Sequence, residues 1–242
     1  MKKLAYMLVI TLVILFSWGV LVKITGVPRY ILPSPISVFE TLWSERYLII
    51  DHAMITLIEV ILGLLLGASL GAMTAITIAY SRWLRLWLRP VLLISQALPV
   101  FVLAPLLTLW FGYGLTSKVL MATLIIFFPV TSAFFDGLMR TPVAFLDLAK
   151  TMDASRWKMM INIRIPAAIP NLGTGVRLAA VYAPIGAVIG EWVGSSKGLG
   201  YLMLLANGRV KTDLMFASMI SLASLSVILY FVIDRILKRY EE

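Results

Sequence analysis

The sequence predicts an all-α, polytopic membrane protein with about six transmembrane helices. Three observations carry this. Hydrophobic residues make up 61% of the 242 residues and charged ones 14%, against roughly half and a quarter in a soluble domain. Apolar stretches long enough to cross about 30 Å of hydrocarbon, which takes about 20 helical residues, recur along the whole chain. The 21 lysines and arginines lie mostly in short segments between those stretches, where they set topology and form no nucleic-acid-binding stripe.

Residues 4–22 follow Lys2 and Lys3. The run is too long for a cleaved leader and no small-x-small site follows it, so it reads as an anchor. Residues 53–80 form a second span, long enough to tilt or to project from the bilayer. Residues 90–111, 118–139, 172–193 and 214–237 form the other four. With the N-terminus inside, the inner face collects Lys2, Lys3, Arg82, Arg85, Arg89, Arg140, Lys150, Arg156, Lys158, Arg164, Arg235, Lys238 and Arg239. The outer face keeps Lys23, Arg29, Arg46, Lys118, Lys197, Arg209 and Lys211. That bias predicts both termini in the cytoplasm. The whole of 1–242 reads as one transmembrane domain.

Two connections are long enough to carry structure. In the outer one, residues 23–52, Ser34 can cap a short helix whose first turn holds Pro35. The inner one, residues 140–171, is the most polar segment of the chain. There Leu146, Ala149 and Met152 fall at helical spacing, Asp153-Ala154-Ser155 interrupts, and Trp157, Met160 and Ile161 resume an apolar stripe. The pattern predicts two short helices joined at Asp153, which either caps the second helix or takes a left-handed backbone, with Pro166 and Pro170 ending the second.

Several chemistries are excluded. With no cysteine and a single histidine, His52, the chain has no cysteine or histidine zinc site, thiol redox centre or disulfide frame. The run from Gly67 to Gly71 fits G-x-S-x-G but sits mid-helix among leucines, where no strained nucleophile turn forms. The run from Gly112 to Lys118 has Ser117 where a phosphate loop needs glycine.

The inner segment resembles the EAA loop of ABC importer permeases, whose acidic and small residues, glycine and distal I-x-L-P fix a short coupling helix. Asp147, Ala149, Ala154, Ser155, Ile163 and Pro166 match as they stand, whereas Leu148 replaces a small residue, Asp153 the glycine and Ile165 the leucine. The resemblance runs along most of the chain through Leu32-Pro33-Ser34-Pro35, Gln96-Ala97-Leu98-Pro99, Ala104-Pro105-Leu106-Leu107, Leu109-Trp110-Phe111-Gly112, Thr116-Ser117-Lys118 and Gly198-Leu199-Gly200-Tyr201. These look like landmarks of the permeases for sulfonates, taurine, nitrate and thiamine precursors. The resemblance implies a MetI-like fold, a homodimer in a bacterial inner membrane, an extracytoplasmic solute-binding protein, and a cytoplasmic ABC ATPase that uses ATP and magnesium. This chain itself would bind no cofactor. ATPase coupling would fall to Asp147, Ala149, Asp153, Ala154, Ser155, Arg156, Trp157, Lys158 and Pro166. The rival class is a stand-alone secondary transporter or channel, for which the sequence shows no repeat of hydrophobic segments or central ion-binding charges.

Two further patterns bear on function. Gly63, Gly67 and Gly71, continued by Ala75 and Ala79, form a smooth ridge at every fourth residue, as do Gly186, Gly190 and Gly194. Such ridges admit a neighbouring helix closely. Glu59 and Glu191 lie within apolar spans, which makes them candidates for the substrate pathway unless His52, Arg177 or an outer lysine pairs with them. Their sign suits a cationic or hydrogen-bond-donating solute. The stretch from Pro184 to Met203 resembles the thiamine-pyrimidine branch, with a flavin such as riboflavin as the alternative.

Overall fold

The computed structural model describes residues 2–97 and 99–241, with side chains described for 9–94 and 99–239. Every regular element among them is helical: α1 (Lys2–Thr25), α2 (Pro35–Ser44), α3 (Arg46–Tyr80), α4 (Arg82–Ala97), α5 (Val100–Phe111), α6 (Leu115–Met139), α7 (Val143–Thr151), α8 (Arg156–Met159), α9 (Ile165–Gly194), α10 (Leu199–Gly208) and α11 (Thr212–Glu241). A π-helical turn, Met160–Arg164, joins α8 to α9, making one helical run of 39 residues.

The middle of the molecule is a sandwich, α6 between α3 and α9. Glycine makes the close approach possible. A Cβ on Gly186 would fall 2.6 Å from the Ala122 Cα, one on Gly67 2.7 Å from the Ile126 side chain, and one on Gly194 2.8 Å from Thr108. Gly63 meets the other side of Ala122. The core is accordingly built of small side chains, including Ala122, Ala179, Ala183 and Ala187. Leu65, Leu66, Leu70 and Met73 of α3 point outward. Small residues inside and large ones outside is the pattern expected where lipid replaces water and only close packing distinguishes a helix neighbour from the solvent.

Around the sandwich, α11 packs on α9, α10 and α2, and α5 on α6 and α9. Arg177 of α9 pairs at 2.8 Å with Asp234 of α11, which also takes Lys238 at 2.6 Å. Trp18 of α1 stacks on Phe216 of α11 at 5.7 Å. Ser34 accepts the Ser37 N–H at 3.2 Å and Pro35 opens α2.

Three features differ from the sequence reading. The span placed at 90–111 is two helices, α4 and α5, separated around Pro99, which is extended (φ −61, ψ 113). Proline lacks the N–H that would carry the helix through. Leu98 of that span and of its tetrapeptide lies outside the described residues. The helix of the second span starts at Arg46, seven residues before 53, and its 35 residues measure about 50 Å, more than the hydrocarbon requires. Finally, Pro166 and Pro170 end no helix. Pro166 stands in the first turn of α9, and Pro170 lies inside it. The π turn ahead of them, closed by the Ile165 N–H on the Met160 carbonyl, widens the backbone where the Pro166 ring would strike an α-helical carbonyl.

Candidate functional site

Residues 143–159 form a helix, a tight turn and a second helix at one end of the bundle. Helix α7 ends in a Schellman turn: the Ala154 N–H donates to the Ala149 carbonyl at 2.9 Å and the Asp153 N–H to the Lys150 carbonyl at 3.0 Å. Asp153 occupies the left-handed position, φ 53, where glycine is the usual residue. A left-handed backbone costs an L-residue about 1–2 kcal/mol, least for Asp and Asn. Of the two roles open to Asp153, it takes the bend. Ser155 caps α8, accepting the Lys158 N–H at 3.3 Å.

This segment is tied to the bundle at its second helix. Trp157 meets Tyr80, the last residue of α3, edge to face with centroids 5.6 Å apart. Met160 is buried in a cluster with Phe134, Phe135, Leu138 and Ala168. Asp147 and Lys150 pair with each other at 2.8 Å and stay exposed. Arg156 and Lys158 are exposed, Ala154 is half-buried and Ala149 buried. Trp157 and Pro166 therefore belong to the long helical run, and Asp147 and Ala149 to α7.

At the opposite end the structure brings together residues that lie up to 146 positions apart. Four successive N–H groups at the start of α10 are accepted by side chains of α3 and α9. Gly198 donates to His52 Nδ1 at 3.0 Å and Leu199 to Thr56 Oγ1 at 2.8 Å. Gly200 and Tyr201 both donate to Glu191 Oε2, the latter at 3.2 Å. Thr56 in turn donates to Glu191 Oε1 at 2.6 Å. These are the orphan donors that every helix N-terminus presents, and a carboxylate there also opposes the helix dipole. Gly198 adopts φ 113, and a Cβ on it would fall within the Glu191 carboxylate. The tetrapeptide Gly198-Leu199-Gly200-Tyr201 is thus a helix start shaped around one acid.

Glu59 lies beside Glu191 and has Lys118 Nζ at 3.5 Å. Both acids are essentially inaccessible, at 0% and 1% exposed, and among the described residues neither Glu59 oxygen has a hydrogen-bond partner. Arg177, one of the partners considered from sequence, goes to Asp234 instead. Gly190 packs against Lys118 of α6, and Gly71 against the Phe127 carbonyl. Sequence reasoning missed Thr56 and Tyr80. A signal for Thr56 was present, since His52, Thr56 and Glu59 continue the Gly63-Gly67-Gly71 face of α3 outward at helical spacing.

Comparisons with known proteins agree with this architecture. A chain from the inward-facing MetNI methionine ABC transporter superposes with a TM-score of 0.72 at 17% identity, covering 81% of this chain and 98% of that one. A probable ABC transporter permease protein of Haemophilus influenzae is 50% identical over 233 residues, 96% of this chain and 95% of the relative. The riboflavin transport system permease protein RibX of Chloroflexus aurantiacus is 37% identical over 95% of this chain and 88% of its own length. The formylaminopyrimidine transport permease protein ThiX of Halalkalibacterium halodurans is 36% identical over 78% and 76%. The family model described as binding-protein-dependent transport system inner membrane component matches residues 60–242. With its bundle, its helix-turn-helix end and these relatives taken together, the chain belongs to the MetI-like family of ABC importer permeases.

Proposed function

We propose that this chain moves a small solute handed to it by an extracytoplasmic binding protein, and that a separate cytoplasmic ABC ATPase drives it by docking on α7 and α8. One observation carries the docking. Val143, Phe145, Leu148, Met152 and Trp157 are each more than half exposed on a short, rigidly capped segment at the polar end of the bundle, where an apolar knob fits a groove on a partner. Asp147, Ala149, Asp153, Ala154, Ser155, Arg156, Lys158 and Pro166 shape that knob or its attachment. ATP and magnesium belong to the partner. With α7 and α8 in the cytoplasm, both termini are cytoplasmic, and α2 and α10 face the binding protein. Two copies of the single permease domain, 1–242, form the translocation unit.

For the solute we favour a thiamine-pyrimidine precursor, with riboflavin next. Support comes from kinship. Identity is 37% and 36% with relatives named for riboflavin and formylaminopyrimidine, 32% with one named for aliphatic sulfonates, and 26% and 25% with those named for taurine and nitrate. Glu59 and Glu191 support this choice less directly, since their oxygens face Lys118 and the N–H groups of α10.

In proteoliposomes, uptake should require the cognate ATPase, ATP and the binding protein. Gradient-driven uptake by this chain alone would overturn the assignment. A ligand screen on the binding protein should return a pyrimidine before a sulfonate; tight sulfonate or nitrate binding would reject the substrate.

A further inference from the structure

Behind α8 the structure holds a cavity of about 330 Å³ whose walls include Arg82, Arg85, Lys150, Arg156 and Arg164 and no carboxylate. Its other lining residues are Ala79 and Tyr80 at the end of α3, Met139, Leu146, Met159 and Met160. Of these cations, among the described residues only Lys150 has an acidic partner, Asp147. Arg85 donates to the Ile78 carbonyl at 3.1 Å and the Ala79 carbonyl at 2.9 Å, closing the end of α3. Among the described residues, Arg82, Arg156 and Arg164 make no ion pair. Burial, with Arg164, Arg82 and Arg89 nearby, pushes the Arg85 guanidinium below its ordinary range. Like charges gathered at a partly dry site repel, and a bound anion relieves them.

A second, independent observation says where that anion comes from. Helix α4 carries Arg82, Arg85 and Arg89 on one side, while Trp83, Leu86 and Trp87 on the other are each about two-thirds exposed. A helix with exposed tryptophans beside a row of arginines lies in the plane of a membrane interface, at the depth of the lipid phosphates.

We infer that the cavity is a binding site for the phosphate group of an anionic phospholipid, drawn from the leaflet in which α4 lies and held chiefly by Arg82 and Arg164. Guanidinium forks match phosphate oxygens in pairs, and the methionine and tyrosine walls accept the glycerol and the first methylenes. The lipid would bridge α4 to the root of the docking segment. It is a structural ligand of that joint and independent of whether an ATPase binds outside it.

The test uses the full-length permease purified alone, so that it does not depend on ATPase docking. Native mass spectrometry after exchange into detergent containing phosphatidylglycerol should show retained lipid, with phosphatidylcholine retained at least tenfold less. Removing two cations with R82Q/R164Q should lower phosphatidylglycerol retention about tenfold, R82K/R164K should keep most of it, and R235Q/R239Q, at the same face on α11, should leave it within twofold. Equal loss in both glutamine doubles would reduce the effect to diffuse surface charge and overturn the site. Displacement of the lipid by millimolar inorganic phosphate would overturn the lipid as its ligand. An unchanged thermal midpoint in R82Q/R164Q is expected, because among the described residues neither side chain bonds to protein; a lowered midpoint in detergent free of lipid would assign the arginines to the fold instead.

Discussion

The two ends of the bundle handle their polar groups in opposite ways. At the α10 end, His52, Thr56 and Glu191 accept every one of the four N–H groups from Gly198 to Tyr201, and the acid at the centre is 1% exposed. At the α7 end, exposed Phe145, Leu148, Met152 and Trp157 stand beside arginines without acidic partners. The first end closes the start of α10 within one chain, although among the described residues neither Glu59 oxygen beside it has a hydrogen-bond partner, and the second leaves apolar side chains and arginines exposed. On the proposed function that division is informative: the contact proposed to form and release is exposed, and the one that holds α10 is buried.

The sharpest way to break this comparison is Glu191→Ala. Removing one member of a buried charged network leaves the others unsatisfied, and the expected loss is about 3–5 kcal/mol, read as a lower unfolding midpoint in detergent. Co-purification with the ATPase from freshly made membranes should survive. Asp153→Pro should do the reverse, because proline cannot take φ 53. Uptake and ATPase co-purification should fall at least tenfold while membrane insertion stays normal, and normal uptake would remove the docking role. Thr56→Val takes away the acceptor for Leu199 N–H and one donor to Glu191, at about 1–3 kcal/mol. The smallest effect is Asp153→Gly, which should stabilise by about 1 kcal/mol through relief of the left-handed backbone. A destabilised glycine variant would mean that the Asp153 side chain does something the turn geometry does not show.

Much of the fold was legible because lipid enforces simple rules. Apolar run length marks helices, and glycine every fourth residue marks the faces that meet, so Gly67 and Gly186 could be assigned to interfaces before their partner, α6, was known. The helix-turn-helix of residues 143–159 was legible because its turn is local: Ala149, Lys150, Asp153 and Ala154 close it among themselves. Pro166 misled because a proline near a helix end is ambiguous on its own. Whether it stops a helix or enters a new turn depends on the π turn before it, which no residue type announces. The Glu59–Glu191 neighbourhood was invisible for another reason. Each acid looked like an isolated intramembrane charge, and the groups that satisfy Glu191 are main-chain N–H groups, which carry no letter in a sequence.

One consequence of the unbroken run from Arg156 to Gly194 joins the two ends. A helix of 39 residues is about 58 Å long, and among the described residues it runs from the proposed docking segment to the turn that holds the acid gripping α10. If α7 and α8 take the ATPase as proposed, this run is the lever between the two ends. A tilt of about 5° about its docking end carries the far end through about 5 Å, roughly one helical turn. The Glu191 carboxylate would travel with it, and because that carboxylate grips two N–H groups of α10, the short helix would be drawn along.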